Sequence, residues 1–341
     1  MKKTLTALRY LLLFAVGVAL LYFAFRGQDF SDLKDKLQNA DYFYVAISLV
    51  MSMVAYWSRA IRWKLLLEPL GHYPKASNTF IALMVGYLAN LALPRLGEVL
   101  RCTLLNRLDK VPVEACLGTV VAERVFDMIM LALVLGATLL LEFDLLSGFL
   151  MSIFSGKLNT PNENTSNSIY WILAGVAVLG LVFMWLMYRY HSFLQRYMFY
   201  AKATSFALGV GKGLVSVKNL RNPWSFVLHT LIIWVMYYGM TYIVFFAIPE
   251  TSGLGWQSGM AILVIGGLGM AAPVQGGIGA FHWLVSKGLM LYGVSEVIGL
   301  SLATLLHGSQ VVGVLIVGGF CLLWSIVRLR GEKAAGLKSS V

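Results

Sequence analysis

Asn90–Arg101, which reads N-L-A-L-P-R-L-G-E-V-L-R, interrupts one of the long apolar runs of this 341-residue chain. Its twelve positions include a proline, a glycine and three charged side chains. Inside a bilayer, a broken backbone and a bare charge both need partners from protein or water. A second interrupted stretch, Ala272–Trp283 (A-P-V-Q-G-G-I-G-A-F-H-W), lies late in the chain. We therefore predict two re-entrant helical hairpins, one at each break.

The composition indicates a multi-pass helical membrane protein. The chain is 59% apolar and 13% charged, with a mean hydropathy of +0.75, whereas soluble domains are nearer half apolar and a quarter charged. Its net charge of +11 is typical of cytoplasmic loops that face anionic lipid. We therefore expect membrane phospholipid, and no nucleic acid, as a partner. The three cysteines lack metal or redox spacing, so we expect no metal and no cofactor.

Six apolar stretches are long enough to cross a bilayer. Basic residues near both ends of the chain predict cytoplasmic termini and a place in the cytoplasmic (inner) membrane. The polar segment 142–168 is predicted to be an external loop, and the basic amphipathic segment 189–221 to lie on the cytoplasmic leaflet. The predicted crossings are 8–25, 42–67, 113–141, 169–188, 224–248 and 296–327.

The predicted fold class is an all-α polytopic membrane protein, a single transmembrane domain over residues 1–341. Residues 42–141 form a first unit of span, hairpin and span, whose hairpin opens to the cytoplasm. Residues 223–327 repeat that order with a hairpin that opens outward. Inverted repeats of this kind are typical of transporters that bind substrate at mid-membrane between broken helices.

The first break holds the most specific local signal. A half-helix that begins after Pro94 would present free N–H groups at membrane depth, and Arg95 and Arg101 beside it would complete an anion site. Lipid phosphate is the obvious anion. Glu98 is either part of this site or a capping acid paired with one of the arginines. The other candidates are Asn90, as a hydrogen-bonding group at a helix end, and Gly97.

A second group of charges lies near the middle of a predicted span. Glu123, Arg124 and Asp127 fall within five residues, and Arg124 and Asp127 share a helical face on which they can pair. They are either a buried ion pair that locks helices together or a polar lining for a headgroup path or proton relay. Arg59 and Arg62, interleaved with tryptophans at the end of span 42–67, are predicted to meet lipid phosphate at the interface.

The second break is rich in glycine. Gly276, Gly277 and Gly279 permit close backbone approach or expose N–H groups to a ligand. His282 on the returning half-helix either titrates or is a hydrogen-bonding group between helices. The sequence contains no hydrolase, kinase or metal constellation, so no catalytic residue is assigned.

These residues together resemble the transmembrane region of lysylphosphatidylglycerol synthases, a flippase-like family, over about residues 10–325. The matching positions are Arg59, Arg62, Trp63, Asn90, Pro94, Gly97, Glu98, Arg101, Glu123, Arg124, Asp127, Pro273, Gly276, Gly277 and Gly279. The chain departs from the family at Gln275, where proline is usual, and at His282, where glutamate is usual.

The resemblance implies a flippase or translocator that moves a phospholipid or lipid-linked headgroup. The chain stops at Val341, soon after its last predicted span, so the resemblance implies the translocating half without the soluble synthase domain. Two alternatives stay open. One is an integral-membrane lipid-modifying transferase, and the other is a membrane partner of a separately encoded synthase. Either that synthase or a second copy of the chain, as a homodimer, is a candidate partner.

Overall fold

The computed structural model describes residues 30–93, 96–143, 220–272 and 274–338, together with a few isolated positions. The regular structure in these ranges is helical, and no β-strand occurs in them. The chain divides into two compact units, residues 1–134 with 218–341 and residues 135–217. Nearly all of the described residues belong to the first unit.

The helices are numbered here in chain order over the described residues. They are α1 Phe30–Gln38, α2 Tyr42–Leu67, α3 Ala76–Ala92, α4 Leu96–Asp109, α5 Val113–Leu141, α6 Pro223–Ile243, α7 Trp256–Ala271, α8 Ala280–Met290 and α9 Glu296–Lys338. Short 3₁₀ turns follow α2, α6 and α7, at Glu68–Leu70, Val244–Ala247, Pro249–Thr251 and Gln275–Gly277.

Four of these helices are long and apolar enough to cross a membrane, and they begin at Tyr42, Val113, Pro223 and Glu296. The predicted bounds 42–67 and 113–141 are those of α2 and α5. Helix α6 ends at Ile243, earlier than predicted, because its last turn tightens into a 3₁₀ helix before Pro249. Helix α9 continues to Lys338, well beyond the predicted end at residue 327.

Several predictions fall outside the described residues, apart from isolated positions at their edges. These are the crossings 8–25 and 169–188, the loop 142–168 and the amphipathic segment 189–221. The total of six crossings therefore stays a prediction. The chain is a multi-pass, all-helical membrane protein.

Two pairs of short helices occupy the positions predicted for hairpins. Helices α3 and α4, which we call the first hairpin, have 17 and 14 residues. Helices α7 and α8, the second hairpin, have 16 and 11 residues. A crossing helix needs about 20 residues, so each arm is shorter than a full crossing. The order long helix, hairpin, long helix thus occurs twice. The re-entrant course and the inverted orientation of the two repeats stay predictions.

Helix α9 packs against both hairpins through close approaches at glycine. A β-carbon at Gly318 would lie 3.0 Å from the carbonyl oxygen of Met84 in α3. A β-carbon at Gly299 would lie 3.2 Å from the backbone of Ser286 in α8. Small residues allow helix backbones to come this close, as is usual in membrane bundles. Helix α9 therefore contacts both hairpins.

Helix α1 is a short amphipathic helix. Its buried side chain, Leu33, packs against Leu300 of α9. Lys36 forms an ion pair with Glu250 in the turn after α6. The hydrogen bond from Lys36 lowers the pKa of the Glu250 carboxyl. These contacts attach α1 to the ends of two long helices.

Candidate functional site

The tip of the first hairpin is closed by a side chain from one arm and a backbone group from the other. The amide oxygen of Asn90 accepts a hydrogen bond of 2.7 Å from the N–H of Gly97, in the first turn of α4. The backbones of Gly86 and Gly97 cross so closely that a β-carbon at either residue would meet the carbonyl oxygen of the other. The sequence interpretation of Asn90 as a hydrogen-bonding group at a helix end agrees with this geometry. Pro94 and Arg95 lie outside the described residues.

A buried ion-pair cluster lies one turn beyond this tip. Arg101 of α4 donates to Glu123 of α5 at 2.6 Å. Asp127, one turn further along α5, accepts from two arginines of α2, Arg59 at 2.8 Å and Arg62 at 2.6 Å. The cluster therefore joins α2, the first hairpin and α5 through charge-assisted hydrogen bonds.

Arg124, the partner that the sequence predicts for Asp127, is farther from it than Arg59 and Arg62 are. Arg124 and Asp127 do share a face of α5, but their closest atoms are 3.7 Å apart and the Arg124 side chain is 46% exposed. The bonds from Arg59 and Arg62 are shorter and buried. Asp127 therefore pairs mainly across helices, and the guanidinium of Arg124 is left largely free.

Arg59 and Arg62 are buried, not at an interface. Their side chains are 6% and 0% exposed, and Arg59 also donates to the hydroxyl of Tyr237 at 2.9 Å. Arg59 lies two turns before the end of α2 at Leu67, so it is deeper in the bundle than a surface anchor would be. Both guanidinium groups are therefore engaged inside the bundle, and the predicted contact with lipid phosphate at the interface stays a prediction.

Helix α5 attaches to the bundle along one narrow face. Thr119, Glu123 and Asp127 follow at intervals of four residues, and so point the same way. Thr119 accepts a hydrogen bond of 3.0 Å from the indole N–H of Trp63. The Trp63 ring also lies 4.6 Å from the guanidinium of Arg101, in cation–π contact. The rest of α5 is largely uncovered, as expected for a helix that meets lipid.

The cluster has more arginines than carboxylates, and several of its buried polar atoms have no hydrogen-bond partner. Four arginines face two carboxylates on α5. Among the described residues, several buried guanidinium nitrogens have no hydrogen-bond partner: Nε of Arg59, Nε and Nη1 of Arg62 and Nη1 of Arg101. Oε1 of Glu123 also has no hydrogen-bond partner. Buried polar atoms are normally paired, so these atoms leave room for water or another bridging group in the cluster.

A small cavity lies where the hairpin tip meets this cluster, with room for about one water molecule. It brings together five of the predicted candidates, and its lining is Leu83, Gly86, Tyr87, Asn90, Gly97, Glu98, Arg101 and Arg124. The Oε2 atom of Glu98 is buried without a hydrogen-bond partner. The cavity therefore presents two arginines and one carboxylate to the same small space. We call it the first-hairpin cavity.

The tip of the second hairpin is built differently. Gly276, Gly277 and Gly279 all have positive φ, between 56° and 83°, a conformation that other residues rarely adopt. The side chain of Leu91 in the first hairpin packs against Gly276, where a β-carbon would lie 3.1 Å away. The two hairpin tips therefore touch through apolar contact. Charged groups are absent from the described part of this second tip, Val274–Gly279.

Two buried histidines attach the second hairpin to α9. His307 Nε2 lies 2.7 Å from the carbonyl oxygen of Gly276. The ring of His282 packs edge-on against His307, with centroids 5.1 Å apart. The structure thus places His282 beside α9 and away from the first-hairpin cavity.

The sequence reasoning missed two tyrosines. Tyr237 accepts from Arg59, and Tyr87 lines the first-hairpin cavity. Both tyrosines lie among many aromatic residues in apolar helices. Their one distinguishing signal in the sequence is a polar hydroxyl in the middle of an apolar helix. No three His, Cys, Asp or Glu side chains in the described ranges are grouped as metal ligands would be.

Comparison with known proteins identifies the family of this chain. Residues 10–318 match the profile of the family described as the lysylphosphatidylglycerol synthase TM region. The chain belongs to this family. The resemblance predicted from the residues over about 10–325 is therefore confirmed.

Two curated relatives are similar to part of the chain. The glycosyltransferase AglD of Haloferax volcanii is 25% identical over 162 residues, which are 45% of this chain and 26% of that protein. A UPF0104 membrane protein of Methanothermobacter thermautotrophicus is 24% identical over 161 residues, which are 42% of this chain and 46% of that protein. The chain thus spans less than half the length of either relative. No solved structure matches it significantly.

Proposed function

We propose that this protein is a lipid flippase or translocator, which moves a phospholipid or lipid-linked headgroup across the cytoplasmic membrane. Membership of the lysylphosphatidylglycerol synthase TM family and the two relatives support a membrane protein of lipid or glycosyl modification or translocation. The more specific proposal of translocation rests on the chemistry of the first-hairpin cavity.

The observation that carries the proposal is that Arg101, which has an unpartnered Nη1, and the half-exposed Arg124 line one cavity. The cavity has room for about one water molecule, so a phosphate would enter it only as the first hairpin and α5 move apart. Guanidinium groups match the geometry of phosphate and donate two hydrogen bonds at once. The first turn of α4 adds the positive end of its helix dipole, while the N–H groups of Leu96 and Gly97 are already bonded within the hairpin. A lipid phosphate is the anion that a site within a membrane bundle meets most readily.

The attachment of α5 favours lateral access for a lipid. This helix meets the bundle through Glu123, Asp127 and their arginines, while much of its remaining surface is uncovered. A phosphate could replace a carboxylate of α5 on an arginine while the apolar contacts of Cys116 and Val120 keep the first part of the helix attached to the bundle. The acyl chains would remain in the bilayer while the headgroup enters the bundle.

The proposed topology is a single transmembrane domain with both termini in the cytoplasm. The first hairpin opens inward and the second opens outward, so that the touching tips at Leu91 and Gly276 form the barrier between the two sides. Translocation then needs the tips to part and the headgroup to pass between them.

A reconstitution assay tests the proposal. Liposomes with the purified protein and an anionic phospholipid labelled on its acyl chain are treated with a membrane-impermeant quencher, and the protected fraction is followed over time. Arg124→Gln is expected to lower the rate about ten-fold, or ~1.4 kcal/mol in activation free energy. Arg107→Gln, the same change at the exposed end of α4, is the matched control. Rates equal to those of protein-free liposomes for wild type would overturn the proposal.

The match to a glycosyltransferase keeps a second candidate open. In this alternative the protein is the membrane portion or partner of a lipid-modifying transferase. The same liposomes, supplied with candidate donor and acceptor lipids, distinguish the two. Modified lipid without movement between leaflets favours the transferase.

A further inference from the structure

The two buried histidines of the second hairpin and α9 form a site apart from the first-hairpin cavity. His282 and His307 are each 6% exposed, and their rings pack edge-on with centroids 5.1 Å apart. Resting on the proposed function, we infer that this pair binds one proton when the hairpin tips part, so that proton binding is coupled to translocation. The support comes from the position of the pair, its enclosure and the charges around it.

The pair lies directly behind the contact between the two hairpin tips. A carbonyl oxygen only accepts hydrogen bonds, so Nε2 of His307 carries the proton that it donates to Gly276 at 2.7 Å. Gly276 in turn packs against Leu91 of the first hairpin. His307 follows the start of α9 at Glu296 by about 16 Å along the helix, roughly half the hydrocarbon thickness of a bilayer. Parting of Leu91 and Gly276 would therefore let water reach both imidazoles deep in the bundle.

Aromatic rings enclose the pair, and one ring nitrogen has no partner. Phe281 stacks on His307 with centroids 5.2 Å apart, and the Phe25 ring lies 6.1 Å from that of His282. Nδ1 of His282 is buried without a hydrogen-bond partner. Buried polar atoms are normally paired, so this nitrogen is available to water or a proton once the tips part.

The described elements packed against the pair offer no counter-ion for a proton. Helices α3 and α7, the second tip and the turn Val244–Ala247 contain no charged residue. Lys287 of α8 and Glu296 of α9 pair with each other at 2.6 Å. The tyrosines of these elements and Cys321 are neutral near pH 7. The other charged residues are exposed, paired elsewhere or near the far end of α9: Asp32, Lys34, Asp35 and Lys36 of α1, Arg59, Arg62 and Lys64 of α2, and residues 328–338 of α9.

An imidazolium in the closed arrangement would be a buried cation without a counter-ion. Burying that charge costs more free energy than one charge-assisted bond from His307 to Gly276 provides. His282 also lies in the first turn of α8, where the helix dipole disfavours a cation. Two imidazoliums 5.1 Å apart would repel each other, so the pair binds one proton. The pair is therefore neutral while the tips are closed and takes up a proton when they part at acidic pH.

Linkage sets the size of the effect. A hydrated imidazole titrates near pH 6.5, so a site that binds its proton only in the open arrangement makes opening about ten-fold more favourable at about pH 5.5 than at about pH 7.5. Translocation needs open tips, and its rate should rise by the same factor.

The liposome assay described above, run at this acidic and this neutral pH with the same pH on both sides, tests the coupling. The phosphodiester of the labelled phospholipid stays ionised over this range, so the pH acts on the protein. We expect wild type to move the lipid about ten-fold faster at the acidic pH. His72→Gln, the same kind of change in the loop between α2 and α3, is the matched control and should keep this ratio.

Replacement of both histidines distinguishes proton binding from packing. In the double variant His282→Gln, His307→Gln the side chains can still form hydrogen bonds but cannot take up a proton, so the ratio of the two rates should fall to about one. A purely structural role would change both rates alike and keep the ratio, which overturns the inference. A wild-type ratio of about one, or a faster rate at the neutral pH, also overturns it while the proposed function stands. No movement at either pH refutes the proposed function itself.

A cysteine at the tip contact reports opening without lipid movement. Leu91→Cys, in nanodiscs and in a background without native cysteines, is alkylated with a water-soluble maleimide at both pH values. Division by the rate for Tyr73→Cys, at a residue that is 65% exposed, removes the pH dependence of the thiol itself. The normalised rate should be about ten-fold higher at the acidic pH, and equal at both in the double variant. An unchanged normalised rate for the Leu91→Cys protein overturns the inference whether or not the lipid moves and whether or not the double variant folds.

Discussion

Asp127→Asn is the sharpest perturbation of the buried cluster. It keeps the shape of the side chain but removes the charge that accepts from Arg59 at 2.8 Å and from Arg62 at 2.6 Å. Arg62 is fully buried, and its next carboxylate, Glu123, is 3.8 Å away. The substitution therefore leaves buried cations without close compensation.

The expected loss of stability follows from these contacts. Removing one partner of a buried ion pair typically destabilises a protein by about 3–5 kcal/mol. The Asp127 side chain is 15% exposed, so partial solvation moves the expected value to the lower end, about 3 kcal/mol. Arg59→Gln in the Asp127→Asn background is expected to destabilise less than in wild type, because one orphaned cation is then gone.

Denaturant titration of the purified protein in detergent micelles, followed by tryptophan fluorescence, measures these free energies of unfolding. Glu114→Gln is the matched control on the same helix, and as an exposed change it should stay within about 0.5 kcal/mol of wild type. If Asp127→Asn stays within that same margin, the cluster does not hold α5 to α2 and the reasoning fails.

Two further predictions concern the hairpins. Gly97→Ala places a β-carbon against the carbonyl oxygen of Gly86 and should destabilise the protein by about 1–3 kcal/mol. Gly118→Ala is the control, because its β-carbon meets nothing within 4 Å. Equal melting temperatures of the two variants would mean that the hairpin tip can relax. Single cysteines introduced at Arg95 and at Gly277 in a background without native cysteines should react with impermeant thiol reagents from opposite sides of the membrane, and labelling of both from one side would rule out inverted hairpins.

The long helices could be predicted from the sequence because their signals are local. Helices α2 and α5 have the predicted bounds, since each is an apolar run that ends at polar residues or proline. The breaks in both hairpins were equally visible as proline and glycine in apolar context. The course of these hairpins in the membrane depends on the side to which each opens, and a proline or glycine break is the same signal for either side.

The partners of the charged residues could not be predicted, because they lie far apart in the chain. Asp127 pairs with Arg59 and Arg62, 68 and 65 residues away, whereas the sequence offered only the local pair with Arg124. Basic residues interleaved with tryptophan are typical of an interfacial anchor, yet here the same pattern places Trp63 beneath a buried arginine. Only the packing of α5 against α2 distinguishes a buried ion pair from an interfacial anchor.

The most direct test of the headgroup site is a structure of the protein in lipid nanodiscs that contain phosphatidylglycerol. We predict that the first-hairpin cavity opens to a lipid phosphate within hydrogen-bonding distance of the guanidinium groups of Arg101 and Arg124. Ordered phosphates confined to the outer surface of the bundle, with the first-hairpin cavity closed to lipid, would contradict this assignment.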